Sequence, residues 1–260
     1  MKRRRLGCYQ NTPVALRHAI TPAIHLVFQG GDRSGVFPYN VRHRSQEIKT
    51  NETKPVTVNQ LEGWFSSARL AKYHQAADLV ALYAWNAELG AAVFELIGHV
   101  EVLLRNAIHQ QLAARSTMPN WYDDPYYRFN PQTLADIAKA KARAAGGGRG
   151  LTSDRIVSEL TFGFWRYLLS SSYQATVWPR ASHAFQGLRR SQRSRPMIES
   201  QVTLIADTRN RIAHQEPVFT LPVAHLEADI LKLAKMINPQ AADWIGSQSR
   251  VSGVIAARPL

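Results

Sequence analysis

Apolar residues along this chain recur at three- and four-residue steps and nowhere alternate over a useful length, which predicts helices and no sheet. The longest such pattern covers residues 75–115. Leu79, Leu82, Asn86, Val93, Leu96, Val100, Leu103, Ile108 and Leu112 form its stripe, and no proline interrupts it. Gly90 and Gly98 fall inside it and mark either a break or a close helix contact. Before it, 61–70 reads as a short helix and a second start capped by Ser66 or Ser67. After it comes an aromatic loop at 119–131, with Trp121, Tyr122, Tyr126, Tyr127 and Phe129 around Asp123-Asp124-Pro125. Helices are then expected at 131–145, at 156–171 behind a Thr152-Ser153-Asp154 cap, at 196–213, at 222–236 and from near Pro239. Gly146-Gly147-Gly148-Arg149-Gly150 reads as a flexible linker, and 178–196 as irregular and basic. The fold class is therefore all-α.

The change in pattern divides the chain into a basic N-terminal arm (1–55), a helical domain (56–250) and a C-terminal tail (251–260). The arm has no sustained period and carries the breakers Gly30-Gly31, Gly35 and Pro38, so it is expected to be poorly ordered. Its first 50 residues hold nine Lys and Arg against two acids, a net of +7. The whole chain of 260 residues has a formal net charge of +13, which favours polyanionic partners. With 45% apolar and 20% charged residues, wholesale disorder is excluded. No run approaches the roughly 18 apolar residues of a membrane span, so no membrane association of that kind is expected. The single cysteine, Cys8, excludes a disulfide scaffold and a cysteine-rich zinc site within one chain. No apolar run follows the charged start Met1-Lys2-Arg3-Arg4-Arg5, so the expected location is the cytoplasm.

The chemistry concentrates in 197–219. Ile198, Val202, Ile205 and Ile212 make a helical stripe, and Arg209 falls on it. An arginine on a core-facing stripe is expensive unless it is paired or functional. Asn210 and His214 are four apart on a neighbouring face. Pro217 disfavours helix at Glu216, which puts His214 at or just past the helix end. Arg209, Asn210 and His214 are thus expected as a cluster of donors suited to a phosphate. The plainer reading is an arginine paired with a carboxylate such as Glu101, beside a capping histidine.

Arg209-Asn210-Arg211-Ile212-Ala213-His214 resembles the R-x4-6-H motif of HEPN ribonucleases. Three further stretches are similar to the Abi-like (abortive infection, AbiD/AbiF type) branch of those proteins. They are Leu82-Tyr83-Ala84-Trp85-Asn86 with the run from Glu95 to Asn106, Leu160-Thr161-Phe162-Gly163-Phe164-Trp165, and His214-Gln215-Glu216-Pro217-Val218-Phe219. The similarity covers about residues 60–250. It implies a HEPN-type helical bundle that dimerises so that two motifs face one another. It also implies metal-independent RNA cleavage leaving a cyclic phosphate, phage defence by abortive infection or action as a toxin, and in some relatives restraint by a small structured antitoxin RNA.

The residues are consistent with that chemistry, and no cofactor or metal is expected. Imidazole titrates near neutrality, so His214 is the natural proton shuttle. Arg209 would clamp the scissile phosphate and Asn210 would orient the histidine or donate to a phosphate oxygen. One histidine per protomer is short of both an acid and a base, and a homodimer would supply the second. Glu101 and Arg105 are either an ordinary helical ion pair or supports of Arg209 in the cleft. Residues 160–198 contain no acid, and Arg189, Arg190 and Arg193 are candidates for docking RNA. The aromatics of 121–129 read more naturally as packing than as a stacking platform, and Lys139, Lys141, Arg143 and Arg149 as a solvated face rather than a track for a phosphate backbone. Glu95, His99 and His109 lack a second ligand pair and read as interface polar residues. Two rival classes remain: a non-catalytic RNA-binding module, and a dimeric interaction protein whose Arg/His cluster is structural.

Overall fold

A computed structural model describes residues 55–146 and 150–259. The basic arm predicted over 1–55 lies outside the described residues except for Pro55, as does the centre of the glycine linker. Among the described residues there are eleven α-helices and no strand. They are α1 (Val58–Phe65), α2 (Ser67–Leu70), α3 (Leu79–Ala113), α4 (Pro131–Ala145), α5 (Ser153–Glu159), α6 (Phe162–Leu168), α7 (Trp178–Ala181), α8 (Arg195–Ala213), α9 (Val223–Ile237), α10 (Pro239–Gln248) and α11 (Val251–Ala256). None is long and apolar enough to cross a membrane.

Helix α3 is the spine. The Asp78 side chain accepts from the backbone N–H of Ala81 and starts it, and 35 residues run unbroken, about 50 Å at 1.5 Å per residue. Such a length is stable because the helix buries residues on several sides, from Leu82 to Leu112, against α6, α7, α8, α9 and α11. Gly90 lies against α8 without a break, and a Cβ there would stand at ordinary contact distance, 3.6 Å from Ile212 and 3.7 Å from Val218. Gly98 marks neither a contact nor a break. The helix passes through it, and a Cβ would meet nothing within 4 Å.

The core extends into the aromatic loop. Trp121, Tyr122, Tyr127 and Trp165 are buried; the Trp121 ring meets Tyr122 and Tyr127 edge-on and Trp165 at a tilt of 47°. Asp124 organises this loop: its carboxylate accepts from the backbone N–H groups of Thr117 and Tyr126 and from the hydroxyl of Ser116. Burial alone would raise its pKa, and these bonds outweigh burial and lower it.

Three expectations change. The segment read as irregular over 178–196 opens with the single helical turn α7, with Pro179 near its start. The helix predicted over 156–171 is two helices, because Thr161 leaves the helix and its side chain accepts from Phe164 N–H to cap α6. The segment read as a tail from residue 251 is helical over Val251–Ala256, with Val251 and Val254 buried against α3 and α9. Trp85 of α3 holds it by donating to the Val254 carbonyl at 2.7 Å.

Candidate functional site

The last two turns of α8 carry the motif. Ile198, Val202, Ile205 and Ile212 are buried, and Arg209 leaves the same side of the helix, half-buried. Its guanidinium stands 5.6 Å from the centre of the Phe94 ring on α3. Its Nε is buried without a hydrogen-bond partner, and no carboxylate lies within 4 Å among the described residues. The neighbouring Arg211 also has a buried Nε without a hydrogen bond, but a carboxylate stands beside it, with Glu216 at 3.2 Å, and its Nη2 donates to Thr220.

Glu101 is the acid that faces this arginine. Burial pushes its carboxyl above the usual carboxylate range, and Arg209 and then Arg105 pull it back. It therefore sits in the field of both guanidinium groups, yet forms an ion pair with neither. The plain readings, a Glu101–Arg105 helical pair or an Arg209–Glu101 staple, are not found as contacts. Arg105 instead makes one long bond of 3.5 Å to the Ser158 carbonyl, and its Nε is also buried without a partner.

Helix α8 ends in a Schellman arrangement. His214 is the C-cap, Gln215 N–H donates to the Ile212 carbonyl and Glu216 N–H to the Arg211 carbonyl, both at 2.9 Å. Gln215 takes the left-handed conformation at φ 57°, and its carbonyl accepts from Arg69 of α2 at 3.0 Å. Beyond Pro217, the backbone N–H groups of Val218 and Phe219 both donate to Asn86 Oδ1, at 2.7 and 3.2 Å. Asn86 is a buried polar residue on the inner side of α3. It fixes the chain that leaves His214. The sequence places Asn86 on the apolar stripe, and that break in apolarity is the signal for its role.

The expected donor cluster is looser than the spacing implies. Arg209 leans onto α3, whereas Asn210 and His214 are exposed, and no hydrogen bond joins any two of the three side chains. The reason is angular: at about 100° per residue, Asn210 and His214 share one side of the helix and Arg209 points well away from it. Between the end of α8 and α3 lies a groove of about 550 Å³ lined by Gly90, Phe94, Glu95, Ala213 and Gln215. The slightly larger groove beside Trp244, about 560 Å³, contains none of the motif residues.

Arg189, Arg190 and Arg193 precede the other end of α8, whose first residue is about 21 Å along the axis from Arg209. They are not brought together with the motif. Arg115, just past the end of α3, and His183 join them there: burial pushes the His183 pKa down, and Arg115, Arg193 and Arg190 push it further. These two residues were missed because only the fold brings them to the arginine run.

The remaining candidates are committed elsewhere. Lys141 pairs with Asp123 at 2.6 Å and Arg143 with Glu159 at 3.0 Å. Glu95 pairs with Arg250 at 2.9 Å, and His99 packs edge-on to Trp244. Among the described residues no group of histidine, cysteine and acidic side chains could hold a metal ion.

A family model for Abi-like proteins matches residues 58–220, from the first turn of α1 to just past the motif. The chain belongs to the Abi-like protein family. The matched range spans α3, α8 and Asn86. No curated protein and no solved structure matches the chain.

Proposed function

We propose that this Abi-like protein is a metal-independent endoribonuclease of the HEPN type, acting in the cytoplasm as a homodimer in abortive infection or as a toxin. Membership of the Abi-like family supports a role in abortive infection. The observation that carries the nuclease reading is Arg209. It is a half-buried cation with an unpartnered Nε and no carboxylate in contact, one turn from an exposed histidine at the helix end. A guanidinium desolvated without an acid is costly unless an anion completes it, and a phosphate does so.

In the reaction the 2′-hydroxyl of RNA attacks the adjacent phosphorus and the 5′-oxygen leaves, giving a 2′,3′-cyclic phosphate. One imidazole takes the proton of the 2′-hydroxyl and a second returns a proton to the 5′-oxygen. Arg209 stabilises the charge that builds on the phosphorane. Asn210, exposed beside His214, orients the imidazole or donates to a phosphate oxygen. His214 is the one histidine of the motif, so the second imidazole comes from a facing copy. A small structured RNA that binds without being cut would serve as the antitoxin.

A second reading is favoured by the absence of bonds among Arg209, Asn210 and His214: a module that grips RNA without cutting. Purified protein and the His214→Ala variant, incubated with total RNA in EDTA, separate the two. The nuclease reading expects cyclic-phosphate ends from the wild type and none from the variant. Equal cutting by both overturns the assignment of His214, and binding without cutting favours the second reading.

A further inference from the structure

The motif leaves one polar groove unaccounted for. Along α3, Glu101, Arg105 and His109 follow at four-residue steps, and α5 flanks the lower part of this ladder. Between the two helices is an open groove of about 460 Å³, lined by Arg105, Asn106, His109, Asp154 and Ser158 among others.

Its walls have a definite polarity. On the α3 side, Arg105 has a buried, unpartnered Nε and only one long bond to spend its donors on. His109 is held by the core, because Trp121 Nε1–H donates to its Nδ1 at 2.9 Å. That bond leaves Nε2 as the donor nitrogen of the ring. Burial lowers the His109 pKa, opposed by Asp154, so near neutrality the ring is an N–H donor and not a cation. On the α5 side, Asp154 is exposed, makes no salt bridge and offers acceptors. Two donors thus face one acceptor carboxylate across a space larger than a nucleobase.

We propose that this groove is a base-recognition subsite that takes an unpaired guanine of the RNA. Arg105 and the His109 Nε2–H donate to guanine O6 and N7, and Asp154 accepts from N1–H and the N2 amino group. Guanine is the RNA base that presents two adjacent acceptors beside two donors, and single-stranded RNA is read along these edges. The distance fits one strand: from Glu101, which faces Arg209, to His109 is about 12 Å of helix, the reach of neighbouring nucleotides. As a statement about substrate, the proposal rests on the ribonuclease reading. As a statement about binding, it stands alone.

The test uses the full chain and two readouts. Equilibrium dialysis with guanosine, adenosine, cytidine and uridine 5′-monophosphates is expected to show guanosine monophosphate binding about tenfold tighter than the others. Asp154→Asn, on the surface of α5, is expected to bring the four within about threefold of one another, and Arg105→Lys to weaken the guanine nucleotide, with melting curves confirming that both fold. Mapped cut sites are expected to show guanine at one fixed position, lost in Asp154→Asn. Equal binding of all four nucleotides, or of none, overturns the subsite. So does unchanged discrimination in Asp154→Asn. Cutting without a positional guanine alongside equal binding sinks the subsite and leaves the nuclease standing. Selective guanine binding without any cutting sinks the nuclease and leaves the subsite standing.

Discussion

The two ends of α8 are both basic and differ in how their charge is held. At the N-terminal end, Arg189 and Arg190 are exposed, and Arg193 makes one bond, from Nε to the Leu188 carbonyl at 3.2 Å. Charge there is plentiful, solvated and free to rearrange, which suits contact with a polyanion anywhere along its length. At the C-terminal end one guanidinium is half-buried against Phe94, fixed in the field of Glu101 and short of a partner. The backbone beside it is locked by a Schellman turn and by Asn86. On the proposed ribonuclease reading, positive charge would mark where RNA is attracted and constraint where chemistry is done.

The sharpest way to break this contrast is to make the same conservative change at both ends. Arg209→Lys is expected to cut the rate of RNA cleavage by about 100-fold or more, because an ammonium replaces a positioned planar fork. Arg190→Lys keeps a solvated charge and is expected to change the rate by no more than about threefold. Single-turnover cleavage of a mapped RNA measures both. Equal losses at the two ends would dissolve the distinction between attraction and chemistry.

The next effect concerns how the motif is held. Asn86→Ala removes the acceptor shared by the Val218 and Phe219 N–H groups, both in buried surroundings. An orphaned buried donor costs about 1–3 kcal/mol, so a loss of about 2–4 kcal/mol is expected in urea unfolding. Gln201, a buried polar residue of α8, donates one bond to the Asp229 carbonyl of α9, at 2.7 Å, and Gln201→Ala is expected to cost less. If the two variants lose the same stability, Asn86 is an ordinary core amide and not the anchor of the motif segment.

What was legible in the sequence follows from the range of the interactions involved. Helix α3 is visible because its apolar stripe repeats for ten turns, and the end of α8 because Pro217 acts on its immediate neighbour. Arg209 is visible as a charge on a core stripe. The break at Thr161 is not, since a threonine fits either helix or cap and only its bond to Phe164 decides. Helix α11 escapes because six residues containing Gly253 have too little pattern, and packing on α3 and α9 alone makes them helical. The Glu101–Arg105 pair was open because spacing permits the contact without requiring it. Arg115 and His183 at the basic end, like the Arg105–Asp154 groove, join residues far apart in sequence, which no local rule reaches.

The smallest effect tests the backbone lock itself. Gln215 is the left-handed residue of the Schellman turn, a place where glycine is usual because a Cβ there is strained. Its side chain is exposed and makes no hydrogen bond, and the bond it takes part in, from Arg69, ends on its carbonyl. Gln215→Gly therefore keeps every contact and removes the strain, while it adds freedom to the unfolded chain. The strain exceeds the added entropy by a small margin, so a gain of about 0.5–1 kcal/mol is expected in thermal unfolding. The same change at His214, the C-cap with φ −87°, relieves nothing and should destabilise. A loss of stability at both positions would mean that the turn after α8 is held by Arg69 and Asn86 against no local strain. The constraint at the motif would then reside wholly in long-range bonds.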